Sequence, residues 1–314
     1  MSDPGTPRWA ADIAVDLELA GSLLAERFPD LSGARIEPLG EGWDNYAFLV
    51  HAGDGSGPWV FRFPRRKAWA YNLPVECEVL PRIADRLPLP IPRPVRVGPP
   101  TRRYPWTFAG YRYLPGRPAI ELDLDDEHRA ALAAPMGRFL RALHAIDARE
   151  AQALGAPPDP HPEADLEKDD AAARARLAAF AAQGIVSDPD PVAALLDATA
   201  MDWQPEPTAL VHGDFDVGHL LVDDSARLTG VIDWGDVHRG DPVTDLAGVA
   251  SSLPTAAHAS FREAYGPIED DVWLFVRTRA ARLALWEIEY GRKAELSAVE
   301  REGRGALVRL TSPP

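Results

Sequence analysis

Apolar residues recur along this chain at two different spacings, which predict helices in some segments and strands in others. Near the start, Ile13, Leu17, Ala20, Leu24 and Phe28 follow one another at steps of four, three, four and four. Such steps place all five on one face of an amphipathic helix, which Pro29 ends. Two later apolar faces have helical spacing, and they are formed by Leu132, Met136, Phe139, Leu140, Leu143 and Ile146 and by Trp273, Val276, Ala280, Leu283 and Trp286. Pro135 would either open the first of these helices or kink it.

Short runs rich in β-branched and aromatic residues predict strands in the first half of the chain. These strands are Tyr46–Val50, Trp59–Phe63, Val95–Val97 and Thr107–Tyr113. The glycine-rich segment 53–57 is typical of a hairpin turn between the first two. We expect a loop from Leu39 to Tyr46 and an extended, proline-rich connector from Leu87 to Pro94.

A second hairpin is predicted in the stretch from Leu210 to Asp245, around which the chain is organised. A polar loop, His212–His219, is followed by the apolar run Leu220–Val222, a turn and the returning strand Leu228–Ile232. This arrangement places Asp214 and Asp233, nineteen positions apart, at neighbouring strand ends. Alanine-rich helices are predicted upstream, at 171–182 and 192–201.

Composition limits the possible functions. The 314 residues can bury a large core or two lobes, and 46% hydrophobic and 26% charged residues are ordinary for a globular protein. A net charge of −15 disfavours nucleic acid or an anionic membrane as the main partner. Cys77 is the single cysteine, and the start of the chain lacks a basic segment followed by an apolar run. We therefore expect a cytoplasmic protein with no membrane span.

Three residues of the central stretch stand in the order that phosphoryl transfer requires. Kinase sites place a catalytic Asp, a metal ligand shortly after it, and a second Asp beyond the next strand. Here Asp214, His219 and Asp233 have that order, with Asp216 and Asp236 close by in sequence. Asp and His also cap ordinary turns, but turn chemistry alone does not account for the whole constellation.

The motifs H-G-D-x-x-x-x-H, I-D-W-G-D and G-D-P-x-x-D-L-A resemble those of the aminoglycoside phosphotransferase family. His219 stands where that family usually has Asn, which is similar to the macrolide phosphotransferase branch. The resemblance implies an α+β, bilobal protein-kinase-like fold. Its small N-terminal lobe, residues 1–114, would hold an antiparallel sheet and bind nucleotide. Its larger, mainly helical C-terminal lobe, residues 115–314, would carry catalysis and bind the acceptor.

The resemblance also implies roles for individual residues. Asp214 would be the catalytic base, His219 and Asp233 would hold Mg²⁺, and His212 and Asp245 would support the loop. Residues implied to bind the nucleotide are Gly40 and Gly42 in a covering loop, Arg62 with its partner Glu76, and Tyr111 and Tyr113 in the hinge.

The function implied is transfer of the γ-phosphoryl group of ATP or GTP to a hydroxyl of an antibiotic, either a macrolide or an aminoglycoside. A sugar or amino alcohol kinase of the same family remains an alternative, as does a nucleotide-binding module without catalysis. A two-metal hydrolase built on the His and Asp cluster is the alternative from another enzyme class. We expect a monomer or a weak dimer.

Other charged residues have less specific interpretations. Arg65, Arg66 and Lys67 are expected at the solvated surface, and His144 is expected to be a hydrogen-bonded packing residue. The acids Glu163, Asp165, Glu167, Asp169 and Asp170 read as a solvated helix start, although they could face a cationic substrate. Glu287 and Glu289 would either reach the substrate or face solvent.

Overall fold

The chain divides into two compact units. The computed structural model describes residues 11–53, 55, 57–160, 166–198 and 205–313. The first unit comprises residues 1–85 and 91–114, and the second comprises residues 86–90 and 115–314. The segment 86–90, which the sequence assigned to the first lobe, belongs to the second unit. Arg86 pairs with Glu150 at 2.8 Å, and Pro90 O accepts a hydrogen bond from Val231 N at 3.0 Å.

In its described residues, the first unit is an antiparallel sheet with two α-helices. Its elements are α1 (Leu17–Arg27), β1 (Arg35–Glu41), β2 (Asn45–His51), β3 (Pro58–Pro64), α2 (Asn72–Ile83), β4 (Arg96–Gly98) and β5 (Phe108–Arg112). The strand order is β1-β2-β3-β5-β4, and every neighbouring pair is antiparallel. Aromatic rings fill its core, where Phe63 stacks on Phe108 with 4.9 Å between ring centroids. The hairpin predicted from β2 and β3 is present.

Two boundaries in this unit differ from the sequence prediction. Helix α1 begins at Leu17, because the Asp16 side chain accepts a hydrogen bond from Leu19 N and caps the helix there. Ile13 therefore lies outside the helix, although it packs on the core. Strand β1 continues through Gly40 to Glu41, where a loop was expected, because Gly40 pairs with Ala47 and Glu41 with Tyr46 after a register shift.

The second unit is mainly helical. Its elements are β6 (Arg117–Pro118), α3 (Asp126–His144), α4 (Ala148–Ala153), α5 (Leu166–Ala182), α6 (Asp190–Asp197), β7 (Ala209–Val211), β8 (Leu220–Val222), β9 (Leu228–Val231), β10 (His238–Gly240), α7 (Val243–Ser252), α8 (His258–Tyr265), α9 (Asp270–Lys293) and α10 (Ser297–Thr311). The predicted hairpin is formed by β8 and β9, and β7 pairs with β10. Pro135 lies inside α3, which begins nine residues earlier.

A buried charge cluster ties three helices of this unit together. Arg129 of α3 makes a bidentate contact to Glu302 of α10 at 3.0 and 2.7 Å, and Arg309 also binds Glu302. The same arginines donate to the carbonyls of Ser252 and Ser251 at the end of α7. One carboxylate therefore lies between two cations in the core, and the serine carbonyls accept further N–H groups of both arginines. In the part of the chain that the structure describes, no helix is long and apolar enough to cross a bilayer.

Candidate active site

The loop between β7 and β8 carries the H-G-D motif, and its shape requires a glycine. Gly213 has a φ of 92°, a left-handed conformation that residues with a Cβ rarely adopt. A Cβ at this position would lie 2.2 Å from Asp236 O, which is inside van der Waals contact with backbone. The loop therefore packs directly against residue 236, and this close contact fixes the start of the Asp214 segment.

The side chain of Asp245, in the first turn of α7, binds the backbone of this loop. Its Oδ2 accepts a hydrogen bond from His212 N at 2.8 Å, and its Oδ1 accepts one from Gly213 N at 2.9 Å. His144 Nε2 donates to the same carboxylate at 3.0 Å, and Tyr265 Oη lies 2.9 Å from His144 Nδ1. Burial alone would raise the pKa of Asp245, but the hydrogen bond and charge of His144 bring it below its ordinary value. Asp245 therefore braces the loop through two backbone N–H groups. His144 is hydrogen-bonded on both ring nitrogens, as expected of a packing residue.

His212 is a neutral, fully covered side chain. Burial lowers its pKa to about 4, against the nearby charge of Asp245. Its Nε2 donates to Ile232 O at 3.0 Å, and its Nδ1 accepts from Asp214 N at 3.3 Å. The imidazole therefore links the H-G-D loop to the end of β9, where the Asp233 segment begins.

His219 lies among the carboxylates of Asp214, Asp216 and Asp233, and so connects the H-G-D loop to the segment that follows β9. Its Nδ1 donates to Asp214 O at 2.7 Å and lies 3.6 Å from Asp214 Oδ2 and 3.7 Å from Asp216 Oδ1. Its Nε2 lies 3.7 Å from Asp233 Oδ2. Because a carbonyl oxygen only accepts, Nδ1 carries a proton and Nε2 is the ring atom left to face Asp233.

The cluster holds side chains that can ligate a divalent cation. With metal–ligand bonds of about 2.1 Å, octahedral geometry puts adjacent ligand atoms about 3 Å apart and opposite ones about 4.2 Å apart. The 3.7 Å between His219 Nε2 and Asp233 Oδ2 falls between these two separations and matches neither, so the two side chains would have to shift to share one octahedral ion. Asp214, Asp216 and His219 also offer ligand atoms that lie within 4.8 Å of one another.

The electrostatics of the cluster reflect its concentration of negative charge. Desolvation lowers the pKa of His219, but Asp214, Asp216 and Asp233 together raise it to about 10. Desolvation raises the pKa of Asp214 to about 7, the other acids add to the rise, and the His219 cation opposes it. Solvent still reaches 48% of the Asp214 side chain, which weakens this shift. A carboxylate of this kind suits proton acceptance near neutral pH.

Asp233 itself has an unusual backbone. Its φ is 60°, the left-handed region that non-glycine residues rarely occupy. Asp tolerates this conformation better than most residues, and strained backbone of this kind collects at functional sites. Half of the Asp233 side chain is exposed, so its carboxylate is accessible to a ligand.

The sequence did not reveal one residue that shapes the loop. Gly248 lies in α7 where a Cβ would be 1.9 Å from Phe215 O, so only glycine lets the helix approach the loop backbone. In the sequence, Gly248 is recognisable only as a single glycine inside a helical pattern. Such a glycine usually marks a place where another part of the chain packs closely.

The residues with implied nucleotide roles lie in the first unit. Arg62 of β3 donates from Nη1 to Glu76 Oε2 of α2 at 2.6 Å, and both side chains are buried. Gly40 and Gly42 have no left-handed φ, and a Cβ on Gly40 would meet open space. Tyr111 is buried in β5, whereas Tyr113 follows the strand and donates its N–H to Pro58 O at 3.1 Å.

Two of the remaining acids, Glu287 and Asp170, are buried, which the sequence did not predict. Only 8% of the Glu287 residue is exposed, and burial raises the pKa of its carboxyl well above the ordinary value. Glu289 pairs with Arg176 and Lys293 at 2.8 Å each. Asp170 is buried and contacts Arg174 and Arg282, whereas Asp169 is exposed. Glu163, Asp165 and the Glu167 side chain lie outside the described residues.

Comparisons with known proteins identify the family. A family model described as the phosphotransferase enzyme family matches residues 35–281. Viomycin phosphotransferase of Streptomyces vinaceus is 30% identical over 200 residues, which cover 62% of this chain and 67% of that protein. A match to the uncharacterised protein YcbJ of Bacillus subtilis, 25% identical over 104 residues, spans only about a third of either chain.

Solved structures agree on the fold. A GDP and kanamycin complex of APH(2″)-IIia superposes with a TM-score of 0.64 at 24% identity, covering 92% of this chain and 96% of that one. The macrolide 2′-phosphotransferase MphH from Brachybacterium faecium gives 0.60 at 26% identity, covering 95% and 99%. This chain belongs to the phosphotransferase enzyme family, and its predicted fold class is confirmed.

Proposed function

We propose that the protein transfers the γ-phosphoryl group of ATP or GTP to a hydroxyl of a small antibiotic. The observation that carries the proposal is the braced H-G-D loop, on which His219 brings Asp214 and Asp233 within 3.6 and 3.7 Å of one imidazole. Family membership makes phosphoryl transfer the expected chemistry. It also weighs against the two-metal hydrolase, for which a buried Arg62–Glu76 pair would have no purpose.

Asp214 would act on the acceptor. Its carboxylate would accept a hydrogen bond from the attacking hydroxyl, orient it, and take the proton late, since phosphoryl transfer depends mainly on positioning and electrostatics. The raised pKa of Asp214, about 7, is favourable for holding that proton. Asp245 would keep the carboxylate in place through the two backbone N–H groups it binds.

His219 and Asp233 would hold Mg²⁺. Bound Mg²⁺ would neutralise charge on the phosphate oxygens. The hydrogen bond from Nδ1 to Asp214 O orients the ring so that Nε2 presents its lone pair once its proton leaves. Imidazole is a softer ligand than Mg²⁺ prefers, and the carboxylates of Asp214 and Asp216 are the oxygen donors that lie closest to one another around His219.

Residues 1–114, apart from the segment 86–90, would form the nucleotide lobe, and that segment together with residues 115–314 would form the catalytic lobe. Arg62, fixed by Glu76, would contact phosphate oxygens. Gly40 and Gly42 would let the backbone approach the phosphates, and the segment with Tyr111 and Tyr113 would recognise the base. The nucleotide complexes of the structural relatives support a nucleotide donor.

Charge, one motif residue and the relatives bear on the acceptor class. The relatives named above phosphorylate a macrolide, bind kanamycin, or take their name from viomycin. A net charge of −15 suits a cationic acceptor such as an aminoglycoside or viomycin, whereas His219 favours the macrolide branch. We expect a monomer or weak dimer that acts on the free drug in the cytoplasm.

The test is transfer of label from γ-labelled ATP and GTP, with Mg²⁺, to separate macrolides, aminoglycosides, viomycin and simple amino alcohols. Label on one drug class, lost in Asp214→Asn, is the expected result. Label on amino alcohols alone would make the protein a metabolite kinase. Failure of the wild-type protein to bind either nucleotide would refute the proposal.

A further inference from the structure

Two consecutive arginines after β3 contact the turn between β1 and β2. Arg65 and Arg66, expected at the solvated surface, have only 11% and 13% of their side chains exposed. Lys67, next in the chain, is exposed. All the contacts described below lie within the first unit.

Arg65 reaches three successive parts of the hairpin. Its Nη1 donates to Gly42 O at 3.0 Å and lies 2.7 Å from Glu41 Oε1. Its guanidinium covers the ring of Tyr46, 4.8 Å from the centroid. The ion pair with the exposed Glu41 contributes little, so the carbonyl bond and the stacking hold this arginine in place.

Arg66 contacts the other side of the same turn. Its guanidinium lies 5.0 Å from the ring centroid of Trp43 and 6.0 Å from that of Trp69. Its Nη1 lies 3.8 Å from Asp44 Oδ1. In addition, Arg65 N donates to Asp44 O at 2.8 Å, so the backbone of this segment is joined to the turn as well.

We propose that Arg65 and Arg66 are positioning residues, which hold the turn Glu41–Asp44 in the single conformation that binds nucleotide phosphates. The inference rests on the proposed nucleotide role of this turn. A short turn containing glycine samples many conformations by itself. The apparent affinity for a ligand falls in proportion to the fraction of molecules in the competent conformation, so fixing the turn strengthens binding.

These guanidiniums act through the turn and leave the phosphates to other groups. Arg65 donates to Gly42 O, pairs with Glu41 and covers Tyr46. Arg66 lies against the two indoles, and its Nη1 is too far from Asp44 Oδ1, at 3.8 Å, for a hydrogen bond. Both are largely covered by those partners. Arg62, whose guanidinium is fixed by Glu76, is the cation assigned to the phosphates.

The first measurement needs no nucleotide. Amide hydrogen exchange is compared in the wild-type protein, Arg65→Gln, Arg66→Gln and the matched control Lys67→Gln, which also removes one positive charge. Gly42 N, which donates to Asn45 O at 2.9 Å, should exchange about tenfold faster in the two arginine variants. Unchanged exchange across 40–46 in both would overturn the proposal. Arg65→Lys, which keeps a cation without a planar guanidinium, should be intermediate and guards against an unfolded Gln variant.

The second measurement connects the turn to catalysis. The nucleotide KM should rise about tenfold in Arg65→Gln and Arg66→Gln while kcat changes much less, because bound nucleotide restores the competent turn. Lys67→Gln should match the wild type. Faster exchange without a change in nucleotide KM would overturn the positioning role. If the wild-type protein bound no nucleotide, the proposed function would fail, and the exchange data would separately show whether the arginines hold the turn.

Discussion

Replacing Asp245 by Asn should release the H-G-D loop while leaving the fold largely intact. The carboxylate accepts hydrogen bonds from two backbone N–H groups and from His144, at 2.8, 2.9 and 3.0 Å. An amide offers one oxygen and turns its NH₂ toward a donor, so one of these bonds is lost and one buried N–H is left without an acceptor. Hydrogen bonds to a charged group contribute about 1.5–3 kcal/mol each.

The expected result follows from that loss. If about 3 kcal/mol is removed from the closed loop, the amides of His212 and Gly213 should exchange with solvent roughly a hundredfold faster. Asp214 would then be held less firmly, and kcat should fall by up to about a hundredfold with little change in nucleotide affinity. Hydrogen exchange measures the first effect, and single-turnover phosphoryl transfer measures the second.

Asp223 provides a matched control at the opposite end of β8. Its Oδ1 also accepts two backbone N–H groups, those of Ser225 and Arg227, at 2.9 and 3.0 Å. Asp223→Asn should loosen that turn and leave kcat unchanged. A folded Asp245→Asn protein with wild-type kcat and wild-type exchange at His212 would show that the carboxylate does not position the loop.

Three further outcomes are expected. Gly248→Ala should lower the free energy of unfolding by about 1–3 kcal/mol and slow phosphoryl transfer, because α7 must move from Phe215 O; wild-type urea unfolding would contradict this. Glu76→Gln should lower the free energy of unfolding, measured by thermal unfolding, by about 3 kcal/mol, because the buried Arg62 charge loses its carboxylate partner. Glu78→Gln, which removes an exposed ion pair, should lower it by close to nothing, and equal effects of the two substitutions would refute the role of burial. Burial and Arg277 lower the pKa of His258 to about 4, so the unfolded chain binds this proton more readily than the folded protein, and the free energy of unfolding should fall by up to about 3 kcal/mol as the pH drops from 6.5 to 4; His258→Asn should have a shallower pH slope over that range, and an identical slope would exclude the effect.

Local patterns were sufficient to predict the parts of this protein that are contiguous in sequence. The β8–β9 hairpin and the candidate site on its flanking loops follow from apolar runs broken by turn residues, and the order of Asp214, His219 and Asp233 pointed to the chemistry. The brace from Asp245 was implied by family resemblance. That it binds the backbone N–H groups of His212 and Gly213 is information that only the structure supplies.

Long-range contacts explain most of what the sequence could not provide. In the sequence Arg65 and Arg66 look like surface residues, and the pairing of β2 with β3 brings Tyr46 and Trp43 beside them. Strand β1 extends to Glu41 because its partner residues lie in β2. In the sequence, Gly40 near the end of this strand argued for a loop. Gly248 could not be singled out from the sequence, because its importance depends on a long-range contact. A Cβ at this position would lie 1.9 Å from Phe215 O.

The buried cluster of Arg129, Glu302 and Arg309 has a consequence for how the chain is made. Arg129 and Glu302 are 173 positions apart, and the helix that supplies the acid is the last one described. During synthesis Arg129 would lack its carboxylate partner until α10 has left the ribosome. A stalled chain that ends before Ser297 should therefore be recognised by chaperones or proteases as unfinished.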